Sequence, residues 1–151
     1  MANTQAMCTS FKGELLTGTH NFGTAPTRAT SAADTFKAAL YLTTATINAS
    51  TTAYTATGEV SGTGYSAGGV TVTFGTAPST SGTTAFVTPS ASIIYSSVTL
   101  STAFDCVLIY NSTQSNKAVS VHTFGSQTVT AGTFTLTMPV NNSSTALIRL
   151  A

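Results

Sequence analysis

Gly64-Tyr65-Ser66-Ala67-Gly68 is the stretch whose residue types and spacing come closest to a catalytic device. It fits the pattern Gly-x-Ser-x-Gly, in which a sharp turn between a strand and a helix lifts a serine hydroxyl for nucleophilic attack. Asp105 and His122 follow in the order Ser, Asp, His. In such a device the imidazole takes the serine proton and the carboxylate orients the ring. The surrounding sequence does not suit it. Ser66 is followed by Gly68-Gly69 and then by the alternating run VTVTFG, where the device requires a helix. The chain is also short for a parallel α/β sheet. The spacing therefore predicts a Gly-rich turn leading into a strand, and no enzyme.

Other chemistry is equally sparse. Charged residues make up 6% of the 151 residues, against roughly 25% in an ordinary soluble domain. Catalysis of proton transfer or charge development needs titratable groups held together, yet Glu14, Asp34, Glu59 and Asp105 are scattered along the chain. Gly62-Thr63-Gly64 lacks the third glycine and the helix of a dinucleotide loop. His20 and His122 are the sole imidazoles, too few for a zinc site without distant Cys8 or Cys106. His122 lies across its strand from Val119 and Val121 and is expected at a surface or interface. The two cysteines show no disulfide framework; one exposed thiol at Cys8 and one core position at Cys106 are expected. Asn48, Asn111, Asn141 and Asn142 each open a formal glycosylation sequon, which a Ser/Thr-rich chain produces by chance. No catalytic residue, metal or cofactor is expected.

The elements that would carry any function read as β-structure. Thr and Ser take roughly a third of the chain, and Thr suits a pleated surface. From Thr35 the apolar residues alternate: Phe36, Ala38, Leu40 and Leu42; Val70, Val72 and Phe74; Phe104, Cys106, Leu108 and Tyr110; Val119 and Val121; Phe134, Leu136, Met138 and Val140; Ala146, Ile148 and Leu150. Strict alternation marks half-buried strands. With the weaker runs 83–88 and 91–100 the count is about eight, joined by short turns. Residues 110–117, 124–134 and 140–146 read as hairpin loops. Such short joints connect antiparallel neighbours. The expected fold is all-β: an antiparallel, jelly-roll-like sandwich over 34–151, preceded by an N-terminal arm or short helix and linker over 1–33. In the arm, Phe11, Leu15 and Leu16 share a helical face, and Ser10 can cap it. Residues 43–68 form the longest irregular stretch, with a short helical turn expected near Ala53–Gly58. The predicted core is Phe36, Leu40, Val72, Phe74, Phe104, Leu108, Val121, Phe134, Leu136 and Ile148.

A net charge of +1 with scattered cations argues against nucleic-acid capture, which needs clustered positive charge. No apolar run reaches the length of a membrane span, and no leader pattern opens the sequence, so synthesis and use in a cytoplasm are expected. So little charge gives weak colloidal repulsion, which predicts association.

Three blocks carry a resemblance: Cys8-Thr9-Ser10-Phe11-Lys12 with Leu15-Leu16; Glu59-Val60-Ser61-Gly62-Thr63-Gly64-Tyr65; and Leu108-Ile109-Tyr110-Asn111-Ser112. Together with the sequence between them they resemble a family of small virion-associated proteins of tailed bacteriophages, over nearly the whole chain. The resemblance implies a structural component of the virion, a decoration or cement protein of the head. Its implied partners are the major capsid protein and further copies of itself; no small-molecule ligand and no cofactor is implied. A neck or tail component, or an adhesin-like module on a head or tail fibre, is the alternative. The residues expected to meet a partner are Phe11, Leu15, Leu16 and Phe22 of the arm, whose burial would be worth about 1.5–3 kcal/mol each, and the loop aromatics Tyr54 and Tyr65. Docking of the arm on a neighbouring subunit is expected, with closure of the protein's own sandwich as the alternative.

Overall fold

The computed structural model describes residues 2–16, 18–22 and 33–151; the side chains of Gly13 and Leu16 and most of the expected linker (23–32) lie outside the described part. Eight strands and one helix follow in the order β1 (Ala6–Met7), α1 (Thr9–Leu16), β2 (Phe36–Leu42), β3 (Val70–Val72), β4 (Ser79–Ser81), β5 (Thr84–Val87), β6 (Ile93–Asn111), β7 (Lys117–Leu136) and β8 (Ile148–Leu150). They form two antiparallel sheets, β1-β7-β6-β2-β3 and β4-β5-β8. The architecture is an all-β sandwich with a short N-terminal helix.

The large sheet is built on the β6–β7 hairpin, whose turn (112–116) places Asn111 opposite Lys117. Asn111 nucleates that turn: its Oδ1 accepts the backbone N–H groups of Thr113 and Gln114, both at 3.1 Å. Side chains in register share a face of a sheet. One face carries Phe36, Ala38, Leu40, Val107, Ile109 and His122; the other carries Ala39, Tyr41, Cys106, Leu108, Tyr110 and Val121. The small sheet and α1 cover the first face, and the 43–68 segment covers the second. This double cover explains why every residue of β2 from Ala38 to Tyr41 is buried rather than every second one.

The strands differ from the expected ones in instructive ways. The runs 91–100 and 104–110 are one 19-residue strand. Residues 124–134, expected as a hairpin loop, are the middle of β7 and pair with β6 as far as Ile93↔Leu136. Bulges absorb the turn-forming residues: Val98 faces Gly132 where the register shifts, and Ser97 and Ala131 take positive φ of 54° and 45°. A bulge adds a residue and bends the strand without ending it. The expected helical turn near 53–58 is absent; Ala53 and Glu59 form single bridges to Lys117 and Tyr41 instead.

Eight of the ten predicted core positions are buried, while Phe134 and Leu136 are half-buried at the outer end of β7. The arm is part of the sandwich. Met7 pairs with Ser120 at the edge of β7, the Cys8 N–H donates to the Val119 carbonyl at 3.0 Å, and the Thr9 N–H to the Ala49 carbonyl at 2.8 Å. Cys8 is therefore buried, not exposed, because its strand-edge pairing points it at the core; both cysteines are free. Burial pushes the Cys8 thiol up to about 11 and Cys106 to about 12.

Candidate functional site

Ser66, Asp105 and His122 do not form a device. Ser66 sits exposed in a turn closed by the Gly69 N–H on its carbonyl at 2.9 Å. Gly69 has φ of 71°, and a Cβ there would lie 1.7 Å from the Ala38 carbonyl oxygen, so only glycine fits where this turn meets β2. Asp105 accepts from Asn3 Nδ2 at 2.6 Å, and His122 Nε2 meets Ser120 Oγ at 2.9 Å. Among the described residues no hydrogen bond joins the three. His122 does lie opposite Val119 and Val121, but its face looks at the small sheet, so it is half-buried there and burial lowers it to about 4.

The chemistry-bearing side chains gather instead in two polar clusters. The first is centred on Glu59 at the end of the 43–68 segment. Its carboxylate accepts from Tyr54 OH at 2.6 Å, Tyr65 OH at 2.8 Å and the Gly68 N–H at 2.7 Å. Tyr65 OH in turn accepts from the Leu40 N–H at 3.0 Å. Tyr95 OH donates to the Ala38 carbonyl, and Tyr110 OH to the Gly68 carbonyl, each at 2.8 Å. Tyr41 OH donates to the Thr55 carbonyl at 2.7 Å. The rings stack in pairs, Tyr54 on Tyr110 at 4.9 Å and Tyr65 on Tyr95 at 5.9 Å. All five tyrosines of the chain thus serve one function, fastening the long irregular segment to the sheet. Burial, with the nearby Glu59 carboxylate adding to it, pushes Tyr54 up to about 12, and burial and Glu59 likewise push Tyr110 up to about 12. Tyr41, Tyr65 and Tyr95 are raised for the same first reason.

The second cluster ties the arm to the hairpin turn. Because Asn111 Oδ1 is committed to the turn, Nδ2 is its donor. It reaches Asp34 Oδ2 at 2.7 Å and His20 Nδ1 at 3.1 Å. Nδ1 of His20 must therefore accept, which leaves the ring hydrogen on Nε2, donated to Glu14 Oε2 at 2.7 Å. Lys117 Nζ reaches the other Glu14 oxygen at 2.6 Å. Burial lowers the His20 pKa against the opposing pull of Glu14, so the ring is neutral. Burial works against ionising Glu14, but its contacts with Lys117 and His20 prevail and its pKa is lowered. A general base needs a ring nitrogen open to a substrate; both nitrogens of His20 are occupied. Among the described residues no group of three or more His, Cys, Asp or Glu could hold a metal ion, and no helix is long and apolar enough to cross a membrane.

Five of the six residues expected to meet a partner fall into two places. Phe11 and Phe22 are buried in the chain's own core. Phe22 stacks on Phe36 at 4.4 Å and meets Phe74 edge-on at 4.9 Å; Phe11 meets His20 at 4.8 Å. Leu15 packs against the same core. These side chains close the protein's own sandwich, the alternative to docking on a neighbour. Phe36 and Phe74 meet edge-on at 5.1 Å and form an aromatic end that Phe22 of the arm covers. The Leu16 side chain lies outside the described part. Tyr54 and Tyr65 belong to the Glu59 cluster, their hydroxyls turned inward.

Sequence reasoning passed over Glu59, Asp34, Asn111 and Asn21. Spacing does not single them out: the tyrosine partners of Glu59 are 5 and 6 residues away, but Asn21 meets Asp34 across 13 and Asn111 meets Asp34 and His20 across 77 and 91. Asn21 is 3% exposed, and its Nδ2 has no partner among the described residues. It lines a cavity of about 310 Å³ between the arm and the small sheet. No family model matches this sequence, and neither a curated protein nor a solved structure does.

Proposed function

We propose that the chain is a structural component of a bacteriophage virion, a decoration protein that covers the head and binds both the major capsid protein and further copies of itself. The observation that carries this reading is the chemistry of the open strand edges. From Thr123 to Leu136, β7 pairs only with β6 among the described residues, and this stretch holds no charged residue. At the other sheet, β4 is an edge made of Ser79, Thr80 and Ser81, all exposed. Soluble monomers blunt such edges with charge, proline, bulges, short strands or a covering element; β7 carries bulges and β4 is three residues long, but neither edge carries charge. An uncharged open edge suits a protein whose surroundings are other subunits. Many weak copies on a regular shell then bind tightly together through multivalency.

The placement of the aromatic side chains favours a decoration role over a glycan-binding adhesin. A sugar platform needs exposed aromatic faces, whereas the exposed large apolar residues among those described are the aliphatic Ile94, Val140 and Leu150. With the arm committed to its own core, the contacts of this reading fall to the strand edges and loops. Cryo-electron microscopy of particles that contain this chain tests it. Density for the sandwich at regular positions on the head is the expected result. Density confined to the neck, tail or fibres, or absence of the chain from purified particles, overturns it.

A further inference from the structure

Formal charge is spread unevenly along this chain. Residues 60–104 hold no Asp, Glu, Lys or Arg, and neither do residues 118–148. Arg149 is the one charged residue in the three strands of the small sheet, and it is exposed. Its Nη1 donates to the Ser144 carbonyl, which holds the guanidinium beside a polar cleft of about 560 Å³. The cleft opens between β1 and β8, the outer strands of the two sheets. Gln5, Thr84 and Ser143 bring neutral donors to its walls, and no Asp or Glu lines it.

The chain has no side-chain counter-charge to give Arg149. Glu14 is engaged by Lys117 and His20, Asp34 by Asn111 and Gln114, Glu59 by Tyr54 and Tyr65, and Asp105 by Asn3. None of the four is exposed. The residues outside the described part include no Asp or Glu. A second copy, folded the same way, offers the same four engaged groups. The Ala151 carboxylate borders the cleft but forms no ion pair with the guanidinium. The guanidinium fork matches a carboxylate in shape and charge, and arginine is prominent among the residues that dominate protein interfaces. A nucleic-acid backbone would require several clustered cations, where this cleft has one.

We infer that this cleft receives an Asp or Glu side chain of a different protein, with Arg149 gripping the carboxylate and Gln5, Thr84 and Ser143 supplying neutral donors around it. That the different protein is the shell subunit rests on the virion reading; the preference of the cleft for a carboxylate does not.

Two matched peptides, acetyl-Thr-Glu-Thr-amide and acetyl-Thr-Gln-Thr-amide, test the site when titrated into isotope-labelled protein at low salt and followed by NMR. The Glu peptide should shift the Arg149 Nε–H signal and the amides of 143–145. It should bind about fivefold more tightly than the Gln peptide, the upper range of an exposed ion pair. Arg149→Gln should remove that preference, and so should about 1 M salt, where the screening length is about 3 Å. Ser143→Trp keeps Arg149 and obstructs the cleft, so it should weaken binding of the Glu peptide. Equal binding of the two peptides, a preference that survives Arg149→Gln, undiminished binding to Ser143→Trp, or tighter binding of inorganic phosphate than of the Glu peptide overturns the inference. In particles, Arg149→Glu should lower the occupancy of the chain; unchanged occupancy overturns the shell subunit as the partner. Absence of the parent chain from particles overturns the virion reading instead, and the peptides still decide the site.

Discussion

Glu59→Ala is the sharpest test of how this fold holds its longest irregular segment. The substitution removes the acceptor for Tyr54 OH, Tyr65 OH and the Gly68 N–H at once. A hydrogen bond to a charged group is worth about 1.5–3 kcal/mol. Tyr54 is half-buried and can turn to water, so its bond is largely recovered. Gly68 is buried and the Tyr65 hydroxyl stays tied to the Leu40 N–H, so those two donors cannot follow. Two unrecovered bonds give an expected loss of about 3–6 kcal/mol, a large share of the 5–15 kcal/mol typical of a domain. Urea unfolding followed by circular dichroism measures it, and amide hydrogen exchange over residues 59–69 should show the same segment losing protection first. Glu59→Gln keeps an oxygen that accepts from Tyr65 and Gly68, so its loss should be well under that of the alanine variant. A cost below about 1 kcal/mol for Glu59→Ala, on the scale of a single neutral hydrogen bond, would refute the reasoning. Equal costs for Ala and Gln would show that the charge, not the retained oxygen or the side-chain volume, matters there.

Phe22→Ala should cost about 3–5 kcal/mol in the same assay, because its ring stacks on Phe36 and abuts Phe74 inside the core; an unchanged midpoint would return the arm to the surface. His122 is lowered from 6.5 to about 4 by burial, so the unfolded chain binds the extra proton first. Its contribution to stability is therefore complete above about pH 6.5 and is lost as the pH falls toward 4; urea midpoints in that window should fall for the parent and fall less for His122→Phe. Both thiols should ignore a disulfide reagent at neutral pH until the protein unfolds, since burial raises Cys8 to about 11 and Cys106 to about 12 and the thiolate is the reactive form. Ser66→Ala should leave stability and particle binding unchanged, and the parent should not label with a fluorophosphonate probe; labelling lost in Ser66→Ala would reveal a nucleophile.

Alternation read the sandwich well where a strand buries one face against a layer, as at 70–74, but at 148–150 Ile148 is buried and Leu150, expected beside it, is exposed. It failed where long strands bend. Gly125, Ser126 and Gly132 carry turn chemistry, yet β6 stays paired beside this stretch and bulges take up the mismatch. The two-residue β1 and the three-residue β4 are too short for any period to show. Burial of both faces of β2 could not be foreseen, because the cover on one face is an irregular segment. The polar clusters escaped for a different reason. Glu59 meets Tyr54 and Tyr65 nearby, but its setting is made by Tyr95 and Tyr110 on β6, and His20 meets Asn111 across 91 residues. The apolar content of the arm was legible; its destination depended on Phe36 and Phe74 leaving an aromatic end uncovered.

The pairing of β1 with β7 also sets an order of events during synthesis. Ala6 waits for Val121, 115 positions later in the sequence (121 minus 6). At roughly 5–20 residues per second, a ribosome takes about 6–23 s to deliver that partner. Throughout that interval Phe11, Leu15 and Phe22 have no finished core to enter, while the β6–β7 hairpin can close as soon as its own turn emerges. The nascent chain therefore carries this apolar segment unprotected until β7 has emerged. A chaperone that holds apolar segments should be needed most by this protein before β7 emerges, and little once β1 has paired with it.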